Sequence, residues 1–224
     1  MILAFDTSGP YCTAALLAGE TVIATLTEEM SRGQAERLMP LLEECLARGG
    51  AGWRDLGAVA VGIGPGNFTG TRIAVSAARG LALGLGIPAV GVSGFEALAL
   101  GEGKGPVLVV LPAPRDRAYV QLLIDGVPAS DPALIDPADP PHDLPVGAET
   151  RTIGHRASDL ARHSGLDAAE INPTDIPDRA ERIARIALWR LADETRSPDR
   201  PAPLYVRPAD AAPPSDPPPV ILDP

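Results

Sequence analysis

At 224 residues the chain can bury a sizeable core as one ordinary domain or two small lobes, and it is too short for a multidomain machine. With 45% hydrophobic and 21% charged residues it is neither generally disordered nor a membrane bundle, and two cysteines exclude a disulfide framework or a cysteine-rich metal site. A formal charge of −10, from 19 Lys+Arg against 29 Asp+Glu, argues against a large non-specific nucleic-acid surface, so any nucleic-acid role is expected to be shared with a partner.

The opening Met1-Ile2-Leu3-Ala4-Phe5-Asp6 has no basic segment and no long apolar one, so it reads as a first strand over 2–5 rather than a secretion signal, and the expected compartment is the cytoplasm. Apolar or β-favouring runs at 13–17 and 22–26, separated by Gly19-Glu20, predict two further strands joined by a tight turn. A helix follows over 31–48, capped by Ser31 and stopped by Gly49-Gly50, with an apolar stripe of Leu38, Met39, Leu41, Leu42, Cys45 and Leu46. Residues 56–63 read as a buried strand. After a glycine loop comes a helix over 71–85, and then a strand over 89–92. The order is βββαβα followed by β. The helix over 71–85 is apolar nearly all round, so it needs cover on both sides, and Ala74, Ala77, Ala78, Gly80 and Gly84 would let another helix approach closely. The apolar stretch 80–95 is interrupted by Pro88 and by glycines and falls short of the roughly 20 residues of a membrane span.

Beyond this point the composition changes. Residues 1–103 hold 18 of the 23 glycines and 4 of the 25 prolines, which predicts two lobes with different demands, 1–103 and 104–207. In the second lobe, strands are expected over 107–111 and 118–124, helices over 158–163 and 178–195, and mostly loop over 126–150. The segment 208–224 is dominated by Pro, Ala, Ser and Asp and reads as a mobile tail, a proline-rich recognition peptide being the other reading.

Two segments could carry chemistry. Asp6-Thr7-Ser8 ends the first strand with a carboxylate and two hydroxyls that could face a phosphate or its magnesium, although local Asx and hydroxyl turns use the same residues. Gly64-Pro65-Gly66-Asn67-Phe68-Thr69-Gly70 joins a strand to a helix, where free N–H groups could hold an anion or simply form a turn shaped for close packing. It lacks the ending of a Walker loop and the spacing of a dinucleotide fingerprint. His142, His155 and His163 lack metal-ligand spacing, no Gly-x-Ser-x-Gly elbow occurs, and the pairs Glu28-Glu29 and Glu43-Glu44 are expected to be solvated faces. No catalytic or metal-ligating constellation is expected.

Taken in order, Ile2-Leu3-Ala4-Phe5-Asp6-Thr7-Ser8, Gln34-Ala35-Glu36-Arg37-Leu38-Met39-Pro40-Leu41 and Gly64-Pro65-Gly66-Asn67-Phe68-Thr69-Gly70-Thr71-Arg72-Ile73 resemble the TsaB (YeaZ) family. Weaker echoes lie around Arg115 and Tyr119 and at Pro203-Leu204-Tyr205-Val206-Arg207. The resemblance implies an α/β fold of the two-lobed actin/Hsp70/sugar-kinase (ASKHA) superfamily, with a ribonuclease-H-like βββαβα core in the first lobe and a shorter second lobe.

It further implies a non-catalytic scaffold subunit for N6-threonylcarbamoylation of adenosine 37 (t6A37) in tRNAs reading ANN codons. Such a subunit pairs with TsaD, recruits the ATPase TsaE, meets tRNA through the complex, has no membrane partner and forms a homodimer when alone. The paralogue TsaD carries a His-x-x-x-His metal pair where this chain offers Gly94 and Leu98, so the transferase centre is missing. The expected partner interface comprises Leu38, Leu42, Leu46, Arg72, Ile73, Ala74, Ala77, Ala78 and Leu81. Nucleotide or phosphate candidates are Asp6, Thr7, Ser8, Gly64, Gly66 and Asn67, with ATP or ADP and magnesium at the complex interface left open. The family's second-lobe strand often ends in an acidic residue, whereas here it reads Leu111-Pro112-Ala113-Pro114-Arg115, which puts a polar role there in question. Two other functions remain on the sequence alone: a free-standing ATPase or phosphotransferase using Asp6 and the 64–70 loop, and, more remotely, a metalloprotease.

Overall fold

A computed structural model of the chain describes residues 1–171, 178–193 and 199–206. The segment expected to be a mobile tail lies outside them. Three strands open the fold: β1 (Ile2–Asp6), β2 (Tyr11–Ala18) and β3 (Thr21–Glu29). The helix α1 (Gln34–Arg48), β4 (Ala58–Gly62), α2 (Phe68–Leu85) and β5 (Ala89–Val92) follow. Their sheet runs β3-β2-β1-β4-β5, with β2 antiparallel to both neighbours and β1, β4 and β5 parallel. This is the βββαβα order, followed by a further strand, that the sequence predicts. Gly19 makes the turn into β3 at φ 58°, as its place in the hairpin requires.

The starts of the two long first-lobe helices depart from the sequence reading. The first turn of α1 begins at Gln34 behind Gly33, which turns the chain at φ 87°; Ser31 stays outside, and no side chain caps the helix. A left-handed residue is needed where β3 reverses into α1, and glycine takes that conformation without strain. Helix α2 begins three residues earlier than expected because Asn67 is its cap, its side chain accepting a hydrogen bond from the Gly70 N–H at 2.8 Å.

The first half ends with α3 (Gly94–Ala99), and the second comprises β6 (Pro106–Pro112), β7 (Ala118–Ile124), β8 (Val127–Pro128), β9 (Ala133–Ile135), β10 (Arg151–Gly154), α4 (Ala157–Ser164), β11 (Ala168–Glu170) and α5 (Arg179–Ala192). The second sheet runs β11-β10-β6-β7-β8, with β9 added on β7, and β6, β10 and β11 are parallel. It repeats the strand order of the first sheet, with irregular chain over 136–150 where the first lobe has α1.

Each half sends its last helix to the other. Phe95, Leu98 and Ala99 of α3 pack into a core with Val107, Val109, Leu111 and Leu123 of the second sheet. Ile183, Ala184, Ile186 and Ala187 of α5, in the segment assigned by composition to the second lobe, pack with Ile2, Ala4, Ala58 and Ala60 of the first sheet. The opposite face of the first sheet is covered by α1 and α2. There Leu38, Leu41, Leu42, Cys45 and Leu46 form one core with Leu3, Phe5, Val59, Val61, Ala74 and Ala78. Both cysteines are buried, and burial pushes each thiol up to about 11, so they behave as core residues. Leu42 is fully enclosed in that core; Leu42→Ala is expected to lower unfolding free energy by about 2–5 kcal/mol in urea titration.

Candidate functional site

β1 delivers Asp6 to the junction of the two lobes, where it is 1% exposed. A carboxylate so placed must be met by donors or it costs several kcal/mol. Asp6 Oδ1 accepts from the Ser8 N–H at 2.8 Å, and Oδ2 accepts from the Ser8 hydroxyl at 2.9 Å and the Tyr11 hydroxyl at 3.0 Å. From the start of α5, Arg179 places Nη1 4.0 Å from Oδ2 and its guanidinium carbon 5.5 Å from the centre of the Tyr11 ring. Burial, together with the Asp6 charge, pushes the Tyr11 phenol well above its ordinary pKa, so it remains a donor to the carboxylate.

The glycine loop lies directly against this turn. Asn67 N donates to the Ser8 carbonyl at 2.6 Å, the Thr7 hydroxyl donates to the Gly70 carbonyl at 2.7 Å, and Gly94 N donates to the Gly64 carbonyl at 2.8 Å. A Cβ on Gly66 would lie 2.3 Å from the Ser8 carbonyl oxygen, and one on Gly70 would lie 2.0 Å from that of Thr7. These glycines therefore admit a close backbone approach between β1 and the start of α2.

All six phosphate candidates come together, but their polar groups are turned on one another. A magnesium-bound phosphate at Asp6 does not fit this arrangement: both carboxylate oxygens already accept protein donors, and the cation nearest them is Arg179 of the chain itself. Beside the turn lies a cleft of about 370 Å³, lined on one side by Ser8, Tyr11, Asn67 and Arg179 and on the other by Leu111, Pro112, Ala113, Pro114 and Tyr119. The second-lobe wall is thus mostly apolar. Gly94 and Leu98 are one turn apart on buried α3, and neither carries a metal donor. Among the described residues no three His, Cys, Asp or Glu are grouped to hold a metal, and no helix is long and apolar enough to cross a membrane.

The nine interface candidates divide. Leu38, Leu42, Leu46, Ala74 and Ala78 lie in the chain's own core, at most 2% exposed, and are not on a surface. Ile73, Ala77 and Leu81 are partly buried at its rim, and Arg72 is exposed. Apolar periodicity placed α1 and α2 correctly but could not tell the sheet side of α2 from the open side. The open side holds Phe68, Arg72, Ser76, Arg79, Gly80, Leu83 and Gly84, an arc of about 160° at 100° per residue. Leu83 is 84% exposed, and added Cβ atoms at Gly80 and Gly84 meet nothing.

Tyr11 and Arg179 were missed by sequence reasoning. Tyr11 carries a weak signal, facing Asp6 across a short turn, while Arg179 carries none, because only the return of α5 to the first sheet brings it near Asp6. The two kinds of glycine give a direct test. Gly66→Ala is expected to destabilise the fold, whereas Gly80→Ala, on the open face of α2, is expected to raise its stability by about 0.5–1 kcal/mol, both read by thermal or urea unfolding.

A family model described as TsaD, tRNA N6-adenosine threonylcarbamoyltransferase, matches residues 22–135. An uncharacterised protein of Mycobacterium tuberculosis is 33% identical over 215 residues, which cover 95% of this chain and 94% of that protein. The tRNA threonylcarbamoyladenosine biosynthesis protein TsaB of Escherichia coli is 38% identical over 122 residues, covering 53% of this chain and 52% of that protein. YeaZ from Pseudomonas aeruginosa superposes with a TM-score of 0.71 at 27% identity, covering 91% of this chain and 98% of that one. Component A of the (R)-2-hydroxyglutaryl-CoA dehydratase of Acidaminococcus fermentans, 10% identical with a TM-score of 0.51, shares the fold alone. The fold is the α/β fold of YeaZ, with two mixed sheets and their helices. The chain belongs to the TsaB/YeaZ family and shares with TsaD the domain that its family model describes.

Proposed function

We propose that the chain is a non-catalytic partner subunit in the threonylcarbamoylation of adenosine 37 of tRNA. It pairs with TsaD through the open face of α2 and the adjoining rim of α1, and the pair recruits TsaE. The observation that carries this reading is the division of labour within α2: one side completes the first-sheet core, while the other leaves Phe68 50% and Leu83 84% exposed beside two glycines with open space over them. An exposed apolar surface on a regular helix calls for a covering surface, and glycines let a facing backbone approach closely. The names of the curated relatives, tRNA threonylcarbamoyladenosine biosynthesis proteins, supply the pathway.

On this reading Leu38, Leu42, Leu46, Ala74 and Ala78 hold the docking helices on the sheet, while Arg72, Ile73, Ala77 and Leu81 lie at the contact. The same face pairs with a second copy when the partner is missing. The involvement of Asp6 with Ser8, Tyr11 and Arg179 weighs against a free-standing phosphotransferase built on that carboxylate.

Leu83→Arg leaves the core untouched and places a charge in the middle of the proposed contact. The wild-type chain is expected to co-elute with TsaD of the same organism and to be required, with TsaE, for threonylcarbamoyl transfer from threonylcarbamoyl-adenylate to tRNA. The variant is expected to lose both. Transfer by TsaD and TsaE that proceeds equally well without the chain would overturn the reading.

A further inference from the structure

Arg72 is held rigidly for a surface arginine. Its guanidinium carbon lies 3.7 Å from the centre of the Phe68 ring, one turn earlier on α2, and 5.6 Å from that of Tyr205. Nε donates to the Tyr205 hydroxyl at 2.7 Å, and the two rings are 5.5 Å apart. Tyr205 arrives on a segment fixed just before it, where Leu204 N donates to the Ile63 carbonyl at 2.8 Å. Nη1 and Nη2 have no hydrogen-bond or ion-pair partner among the described residues.

The patch is unusual in this chain, which has only three Phe, three Tyr and two Trp; Phe68 and Tyr205 nevertheless stand side by side, 50% and 49% exposed. Its charge is also unusual: α2 bears Arg72 and Arg79 and no Asp or Glu, on a chain of net charge −10. A contact centred on α2 against α2 of a second copy would set these cations against themselves, which makes a second copy the weaker occupant of this face. Charge complementarity therefore selects a different chain, with an acidic side chain facing Arg72.

We infer that Arg72 is the anchor for the protein covering α2, its guanidinium fork receiving an Asp or Glu carboxylate from that partner. The inference rests on the partner reading of α2 given above and adds the chemistry of recognition. Three properties of the site serve that role. A planar fork matches a carboxylate through two parallel hydrogen bonds. The flanking rings fix the fork before the partner arrives, which lowers the entropy lost on binding. Covering the patch then removes water from around the ion pair and two half-exposed rings, the composition in which binding energy concentrates. Phe68, Arg72, Ser76 and Gly80 follow one another at four-residue spacing, so the anchor and the glycine-lined stretch can meet a single partner element.

The test uses the full chain, TsaD of the same organism, and affinities from titration calorimetry at low and moderate salt. Arg72→Glu is expected to weaken binding at least about thirtyfold, the hot-spot range, with unfolding transitions unchanged. Arg72→Lys keeps the charge but loses the fork and is expected to weaken it about tenfold. Arg72→Gln retains most of the stem and reads the same loss should charge reversal disturb folding. Unchanged affinity in Arg72→Glu or Arg72→Gln overturns the anchor. If Leu83→Arg in the same series still abolishes pairing, the partner reading stands without it, and if neither change matters both fall. An Arg72→Glu chain that binds TsaD normally while its complex loses tRNA would assign the patch to nucleic acid and likewise overturn the inference.

Discussion

The Asp6 carboxylate is buried where the two lobes meet, and much of the structure around it follows from having to satisfy that charge. Ser8 and Tyr11 supply its hydrogen bonds from the turn into β2, and Arg179 supplies the opposite charge from the far end of the chain. Each group arrives for a local reason. The β1–β2 turn is short enough to bring Ser8 and Tyr11 back over the strand end, and α5 points its first residue there because its apolar face lies on the first sheet. Buried charges are retained where they are paired and hydrogen-bonded. Here the pairing joins the first strand to the last described helix.

The exchange of helices between lobes explains why the open surface lies where it does. Each sheet needs cover on both faces. In the first lobe α5 takes one face and α1 with α2 takes the other, so the inner face is sealed from within the chain and the outer sides of α1 and α2 face outward. Of these, α1 presents a polar surface on which Arg37 reaches both Glu28 and Glu44, with distances of 2.5 and 2.8 Å, and holds both carboxyls below their usual range. The outer side of α2 has no such network among the described residues. Arg72 instead lies between two aromatic rings, and the apolar surface beside it belongs, on the proposed function, to a partner.

Much of the first lobe was legible in the sequence because its elements are long and bounded by strong signals: alternating or continuous apolar strands, a glycine in the β2–β3 turn and a leucine stripe in α1. The second lobe was harder to read. β10 and β11 are four and three residues long, with β11 the exposed edge of its sheet, and both are too short to show a period. The short helix α3 was missed although Ser93 and Glu96 form a reciprocal capping box at its start. For the site, the sequence pointed to the right segments, Asp6–Ser8 and the 64–70 loop, but not to how they satisfy each other. That depends on Arg179, whose approach to Asp6 is a property of the tertiary fold. The interface suffered the same ambiguity: a helix as uniformly apolar as α2 does not reveal which side the sheet has already taken.

The account turns on Asp6 being committed to the chain's own donors rather than to a metal-bound phosphate. Titration of magnesium and ATP into the purified wild-type chain tests this most directly, with Asp6→Asn as the comparison. No saturable binding by the wild-type chain alone is the predicted result. Stoichiometric binding that vanishes in Asp6→Asn would contradict it, and would make the interlobe junction a nucleotide site in its own right.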